Sequence, residues 1–333
     1  MTLDYALRRI AFFVVVVWIT VTAMFFLVRL APGDPITDQV TRMQASGQAL
    51  AAGPELIEQY RRQFGLDKPM VEQYFSYLKQ LAQGDLGYSV TNFPTRVTTL
   101  IGDALPWTLG LLFSAIVISW VVGSLLGGLM AWRSTPAVAR GLMSSLMLFA
   151  AIPYYLVALL LLYVFAYELQ WLPTGGAQDP LGTSGGAFAQ VADVLEHALL
   201  PAASIVLAFV GIWMIGMRSM MISVLGSDHL MLAEAKGLPQ RRIFTRYAMH
   251  PAILPQVTTL AIYIGYVVAG SILVEVLFSY PGLGKVLVAA VDARDYPVIQ
   301  GVVLMMVVTT AGALLILDLI YPLIDPRIRY GRD

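Results

Sequence analysis

Groups able to do chemistry are sparse in this 333-residue chain. There are no cysteines, which removes disulfides, thiolate metal sites and thiol nucleophiles together. Three histidines, His197, His229 and His250, lie far apart and form no metal-ligand spacing. The stretch Pro281-Gly282-Leu283-Gly284-Lys285-Val286 imitates a phosphate-binding loop, but Ser279 stands where its first glycine is required and Val286 where a serine or threonine is required. Two carboxylates, Glu275 and Asp318, fall in or near apolar runs, and intramembrane charge marks ion or proton routes. Glu275 is therefore a candidate for lining such a path, set against a structural reading in which it sits near the interface and reaches water. Asp318 is expected to pair with a cytoplasmic arginine. The richest stretch is 218–252, where Arg218, Lys236, Arg241, Arg242 and Arg246 accompany a small-residue pair, Ala233 and Gly237. At i and i+4 on a helix these two share a face and permit close contact with another surface. Gly237 could instead end the helix as its cap.

The elements that position these groups are set by composition. Hydrophobic residues make up 58% of the chain and charged residues 13%, where a soluble domain carries roughly a quarter charged. Apolar runs long enough for a bilayer, which needs about 20 residues per helix, recur near 10–30, 104–131, 141–167, 198–217, 253–278 and 300–324. The expectation is an all-α integral membrane protein with six transmembrane helices in one domain over 1–333. The first run exceeds the apolar core of a secretion signal, no cleavage site follows it, and it is expected to be retained. Lys plus Arg equals Asp plus Glu, 21 each, so bulk charge suggests no nucleic acid. Their placement is informative. Arg8, Arg9, Arg133, Arg140, the basic residues of 218–252, Arg327, Arg329 and Arg332 fall on one side, while on the other 168–197 has no Lys or Arg and 279–299 only Lys285 and Arg294. The positive-inside rule then puts both termini in the cytoplasm.

Pro106, Pro153, Pro201 and Pro255 fall near the starts of spans two to five, where a proline in the first turn sacrifices no hydrogen bond. Gly123, Gly127 and Gly128 allow close helix approach. Between the first two spans, 31–100 reads as an extracytoplasmic insertion. Leu56, Ile57, Tyr60 and Phe64 recur at helical spacing, as do Val71, Tyr74, Phe75, Leu78, Leu81 and Ala82, with Gly84-Asp85-Leu86-Gly87 ending the second piece. This predicts a helical hairpin on the outer face.

Leu232-Ala233-Glu234-Ala235-Lys236-Gly237-Leu238, then Arg241-Arg242 and Leu254-Pro255, resembles the cytoplasmic loop signature of ATP-binding-cassette import permeases of the dipeptide, oligopeptide and nickel branch. Phe64-Gly65-Leu66-Asp67, Trp171-Leu172-Pro173, Pro281-Gly282-Leu283-Gly284, Arg294-Asp295-Tyr296-Pro297 and Asp325-Pro326-Arg327 are similar to further motifs of that branch, in order from Arg8 to Tyr330. The resemblance implies a type I importer permease in a prokaryotic inner membrane. It implies as partners a second homologous permease subunit, two ATP-binding subunits and an extracytoplasmic solute-binding protein. ATP and magnesium would bind in the partners, with no cofactor and no metal in this chain. The chain would be a permease rather than an enzyme, with Ala233, Glu234, Ala235, Lys236, Gly237, Leu238, Arg241 and Arg242 forming the ATPase-coupling segment. Peptides are the expected cargo, with oligosaccharides, glutathione or nickel as alternatives. An ion-coupled secondary transporter is the reading from another class, but the broken helices and internal repeats it would show are not found. One departure stands out. His229-Leu230-Met231-Leu232-Ala233-Glu234 replaces a Tyr-x-Arg-Thr-Ala-Arg lead, losing two arginines, one of them to an acid, which implies an ATPase with a compensating surface.

Overall fold

Long apolar helices dominate a computed structural model that describes residues 3–30, 36–37, 40–41, 44, 57–58, 61–62, 67–179, 182, 186–265 and 272–324. In chain order these give α1 (Leu3–Leu30), α2 (Met70–Ala82), α3 (Val97–Ala131), α4 (Ala137–Leu146), α5 (Tyr154–Leu161), α6 (Ala187–Leu225), α7 (Asp228–Ala235), α8 (His250–Gly265), α9 (Ile272–Leu277), α10 (Leu283–Ala293) and α11 (Tyr296–Ile324). Among the described residues four helices, α1, α3, α6 and α11, are long and apolar enough to cross a membrane, or five if the bent pair around Pro153 is one span. Only part of the expected fifth span is described, as α8 and α9, and the first piece of the expected outer hairpin lies largely outside the described residues. Its second piece is α2.

The helices run further than hydropathy alone suggests. α6, with 39 residues, is about 58 Å long at about 1.5 Å per residue, well beyond a hydrocarbon core of about 30 Å. Consequently Pro106, Pro201 and Pro255 lie inside α3, α6 and α8 rather than in their first turns. Each removes one N–H from the helical ladder. Hydroxyls one turn on use the proline carbonyls, Ser204 Oγ donating to Pro201 at 2.7 Å and Thr259 Oγ1 to Pro255 at 3.1 Å. Pro153 alone behaves as expected, preceding α5 at its N-cap. It also breaks what reads as one continuous run, because 137–151 and 154–168 meet at 109°.

Two compact units divide the chain, residues 1–107 with 282–333 and residues 108–281. In the first, α1 packs along α11. Arg9 and Asp318 form an ion pair of 2.7 Å there, which gives Asp318 the arginine expected of it. Near the other end of α1, Phe25 is fully buried against Tyr74 and Tyr77 of α2, with ring centroids 5.2 and 5.6 Å away. Thr22 shares a 2.8 Å hydrogen bond with the Tyr74 hydroxyl. α2 therefore rests Tyr74 and Tyr77 on the first span, while Val71 and Phe75 of its expected apolar face stay exposed, and it ends in a glycine cap at Gly84, whose φ is +75°.

The second unit is held by close helix approach. A Cβ on Gly123 or Gly127 would collide with the backbone of α6 around Val210 and Met214, so this pair works as a small-residue contact of the kind that drives helix association in lipid. Met214, Met217 and Met221 are fully buried along the same helix.

Candidate functional site

The polar loop between α6 and α8 is short of flexible chain. α6 ends at Leu225, Ser227 occupies the N-cap position of α7, and a single turn at Gln240–Arg242 feeds a π-helical turn, Ile243–Met249, that continues into α8. The Ser227 hydroxyl does not cap α7; it donates back to the Val224 carbonyl at 2.6 Å. Leu230 and Ala233, one turn apart on α7, are 2% exposed. They join Trp132, Met217, Met221, Ile243, Ala248 and Ala252 in one apolar cluster. α7 is thus packed onto the ends of α3, α6 and α8.

Gly237 resolves its two readings. Its φ is +68°. Its N–H bonds the Glu234 carbonyl at 2.9 Å and the Leu238 N–H bonds the Ala233 carbonyl at 3.4 Å, which is the pair of reversed bonds of a Schellman cap. A Cβ at Gly237 would meet nothing within 4 Å. The glycine is there for its backbone, and Ala233 faces its own chain, so the two do not form a shared contact face. Gly237→Ala should therefore cost about 1 kcal/mol of local stability, and Gly237→Trp should add little within this chain. Equal losses of α7 protection in hydrogen exchange for the two variants would confirm the cap; a loss confined to the tryptophan would contradict it.

What α7 presents to its surroundings is a face that spacing arguments missed. Met231 and Leu232 are 58% and 57% exposed, beside exposed Glu234, Ala235 and Lys236, with exposed Arg241 and Arg242 on the following turn. Leu238 is half-buried against the apolar cluster. The result is a small apolar patch with one acid and a cationic flank. The signal was present in the sequence, since Met231, Leu232 and Glu234 are three of the positions that depart from the branch pattern.

Elsewhere in the same unit, Glu275 is fully buried and accepts a 2.8 Å hydrogen bond from Thr108 Oγ1. In the first unit Asp295 is also buried. Its carboxylate accepts from the Ser89 hydroxyl, from Val90 N at 3.2 Å and from Thr91 N at 3.0 Å, fastening the loop after α2 to the start of α11. Among the described residues no group of three His, Asp or Glu side chains could hold a metal ion.

The family model for the inner membrane component of binding-protein-dependent transport systems matches residues 123–330, and its N-terminal companion matches residues 2–112. The chain belongs to this family. It is a multi-pass protein of the inner membrane and part of a transport system served by a binding protein. It is 33% identical over 328 residues to the oligopeptide transport system permease protein OppB of Salmonella typhimurium, covering 98% of this chain and all of that protein. It is 32% identical over 330 residues to the oligopeptide transport system permease protein AppB of Bacillus subtilis, covering 98% and 99%. The patch on α7 lies within the region matched by the larger family model.

Proposed function

We propose that this chain is one of two membrane subunits of an ATP-driven importer of peptides, in which α7 and the turn after it couple the membrane helices to a cytoplasmic ATPase. The observation that carries this reading is the exposed patch of Met231, Leu232 and Glu234, flanked by Arg241 and Arg242, on a helix whose opposite face is buried among the ends of α3, α6 and α8. A partner that grips the patch moves those helices. The peptide cargo rests on the names of relatives matched over nearly the whole chain.

In this reading the chain has six spans, the fifth formed by the region of α8 and α9, and the segment 31–100 is extracytoplasmic. A second, homologous permease completes the pathway, two ATPase subunits supply ATP and magnesium chemistry, and a solute-binding protein delivers peptide from outside. Ala233 and Gly237 shape the coupling helix, Leu238 anchors its end, and Glu234, Lys236, Arg241 and Arg242 face the ATPase. Glu275 holds α9 to α3 through Thr108 beside the pathway.

Orientation is the first test. The chain has no native cysteine, so single substitutions report cleanly. Gln178 and Gln240 are both exposed. Gln178→Cys is expected to react with a membrane-impermeant maleimide added to intact cells, and Gln240→Cys only after the membrane is opened. The reverse pattern would place α7 outside the cell and remove the coupling role.

A further inference from the structure

One cavity in the first unit has a chemistry that the transport cycle leaves unexplained. It measures about 330 Å³ and lies between the end of α1, α2 and the loop after it, with Pro297 and Gln300 of α11 closing one wall. Three cations line it, Arg29, Arg62 and Lys68, against one acid, Asp85. Asp85 is already engaged, accepting from Gly87 N at 3.0 Å. Arg62 and Lys68 pair with Glu58 and Glu72 at 3.2 and 2.7 Å on exposed ground, where such pairs contribute little.

Arg29 is the unusual member. It is half-buried, lies 3.7 Å above the Phe25 ring, and donates from Nε to Gln73 Oε1 at 2.9 Å. It meets no carboxylate among the described residues. Among the described residues neither terminal guanidinium nitrogen has a hydrogen-bond partner, and the guanidinium of this lining residue is a fork that suits a phosphate. Tyr77 also lines the space. Burial pushes its phenol up to about 12, with the Arg29 charge working the other way, so it keeps its O–H at neutral pH.

Depth in the membrane selects the source of the anion. Arg9 and Arg29 sit at opposite ends of α1, about 30 Å apart at about 1.5 Å per residue, which equals the thickness of the hydrocarbon core. Arg29 is therefore at headgroup level in the leaflet opposite the N-terminus. Beside it α2 exposes Val71 and Phe75, one turn apart and 69% and 64% accessible, as an interfacial helix does. We propose that this cavity is a binding site for an anionic phospholipid, its phosphate held by Arg29 with Lys68 and Arg62, and that the bound lipid fixes α2 against the first span.

The test uses the intact transporter, stripped of lipid and titrated with phosphatidylglycerol, phosphatidylcholine or inorganic phosphate, with retained lipid counted by native mass spectrometry. Wild type is expected to retain phosphatidylglycerol at least about fivefold better than phosphatidylcholine. Arg29→Gln should abolish that preference, and Arg140→Gln, an exposed arginine outside the cavity, should leave it intact. Should Arg29→Gln fail to assemble, the Arg62→Gln/Lys68→Gln double variant carries the test and should lower the preference at least about twofold. Unchanged retention in the assembled Arg29→Gln variant, or in the double variant if the first does not assemble, would overturn the proposal. So would equal retention of the two lipids, or displacement of the lipid by equimolar inorganic phosphate, which would mark a site for a free anion.

Discussion

Leu232→Asp is expected to cut transport and binding-protein-stimulated ATP hydrolysis together, by at least about tenfold, while the complex still assembles in the membrane. Leu232 is more than half exposed, so the substitution costs this chain little. Its effect falls on the partner, because a carboxylate pressed into an apolar contact loses its water and centrally placed interface residues cost about 2 kcal/mol or more when replaced. Met231→Asp should behave alike. Glu234→Arg, which restores the charge that the wider branch carries at this position, should weaken stimulation by its own ATPase if that surface has adapted to an acid. Full stimulation with Leu232→Asp in a correctly assembled complex would mean that the ATPase grips some other part of the chain.

Asp295→Ala should do its damage in folding instead, lowering stability by about 3 kcal/mol or more. The substitution strands the Ser89 hydroxyl and the Val90 N–H group in a buried site, and each unsatisfied donor costs about 1–3 kcal/mol. Asp295→Asn keeps one acceptor oxygen and should lose less. Thermal unfolding of the detergent-solubilised protein checks both, with the order wild type, asparagine, alanine expected. Identical melting of alanine and wild type would show that the loop after α2 is held by other contacts.

These residues show where sequence was informative. The long spans, α2 and its glycine end, and the pairing of Asp318 with an arginine were legible because apolar periodicity, helix-stop chemistry and the cost of a lone charge in lipid act locally. The prolines were not, since hydropathy marks where a helix enters lipid and not where it begins. The fold-back at Pro153 was hidden for a related reason: a bent pair and a straight span have the same composition. The segment around Ala233 and Gly237 could be singled out as a candidate through its resemblance to a family. Which of its residues faces outward was not legible, because that depends on α3, α6 and α8 converging on Leu230 and Ala233, a long-range arrangement that no local pattern encodes. Asp295 belonged to a motif visible in the sequence, yet its partners lie about 200 positions away.

If α7 relays the arrival of peptide to the ATPase, ATP hydrolysis by the reconstituted transporter must depend on its exposed face. The complex of this chain with its partner permease and ATPase subunits is assayed in proteoliposomes with its binding protein, empty or loaded with peptide. Peptide-loaded binding protein is expected to stimulate hydrolysis severalfold, and Leu232→Asp to erase the stimulation while leaving the unstimulated rate of the ATPase subunits unchanged. Stimulation that is indifferent to peptide, or that survives Leu232→Asp intact, would contradict the account.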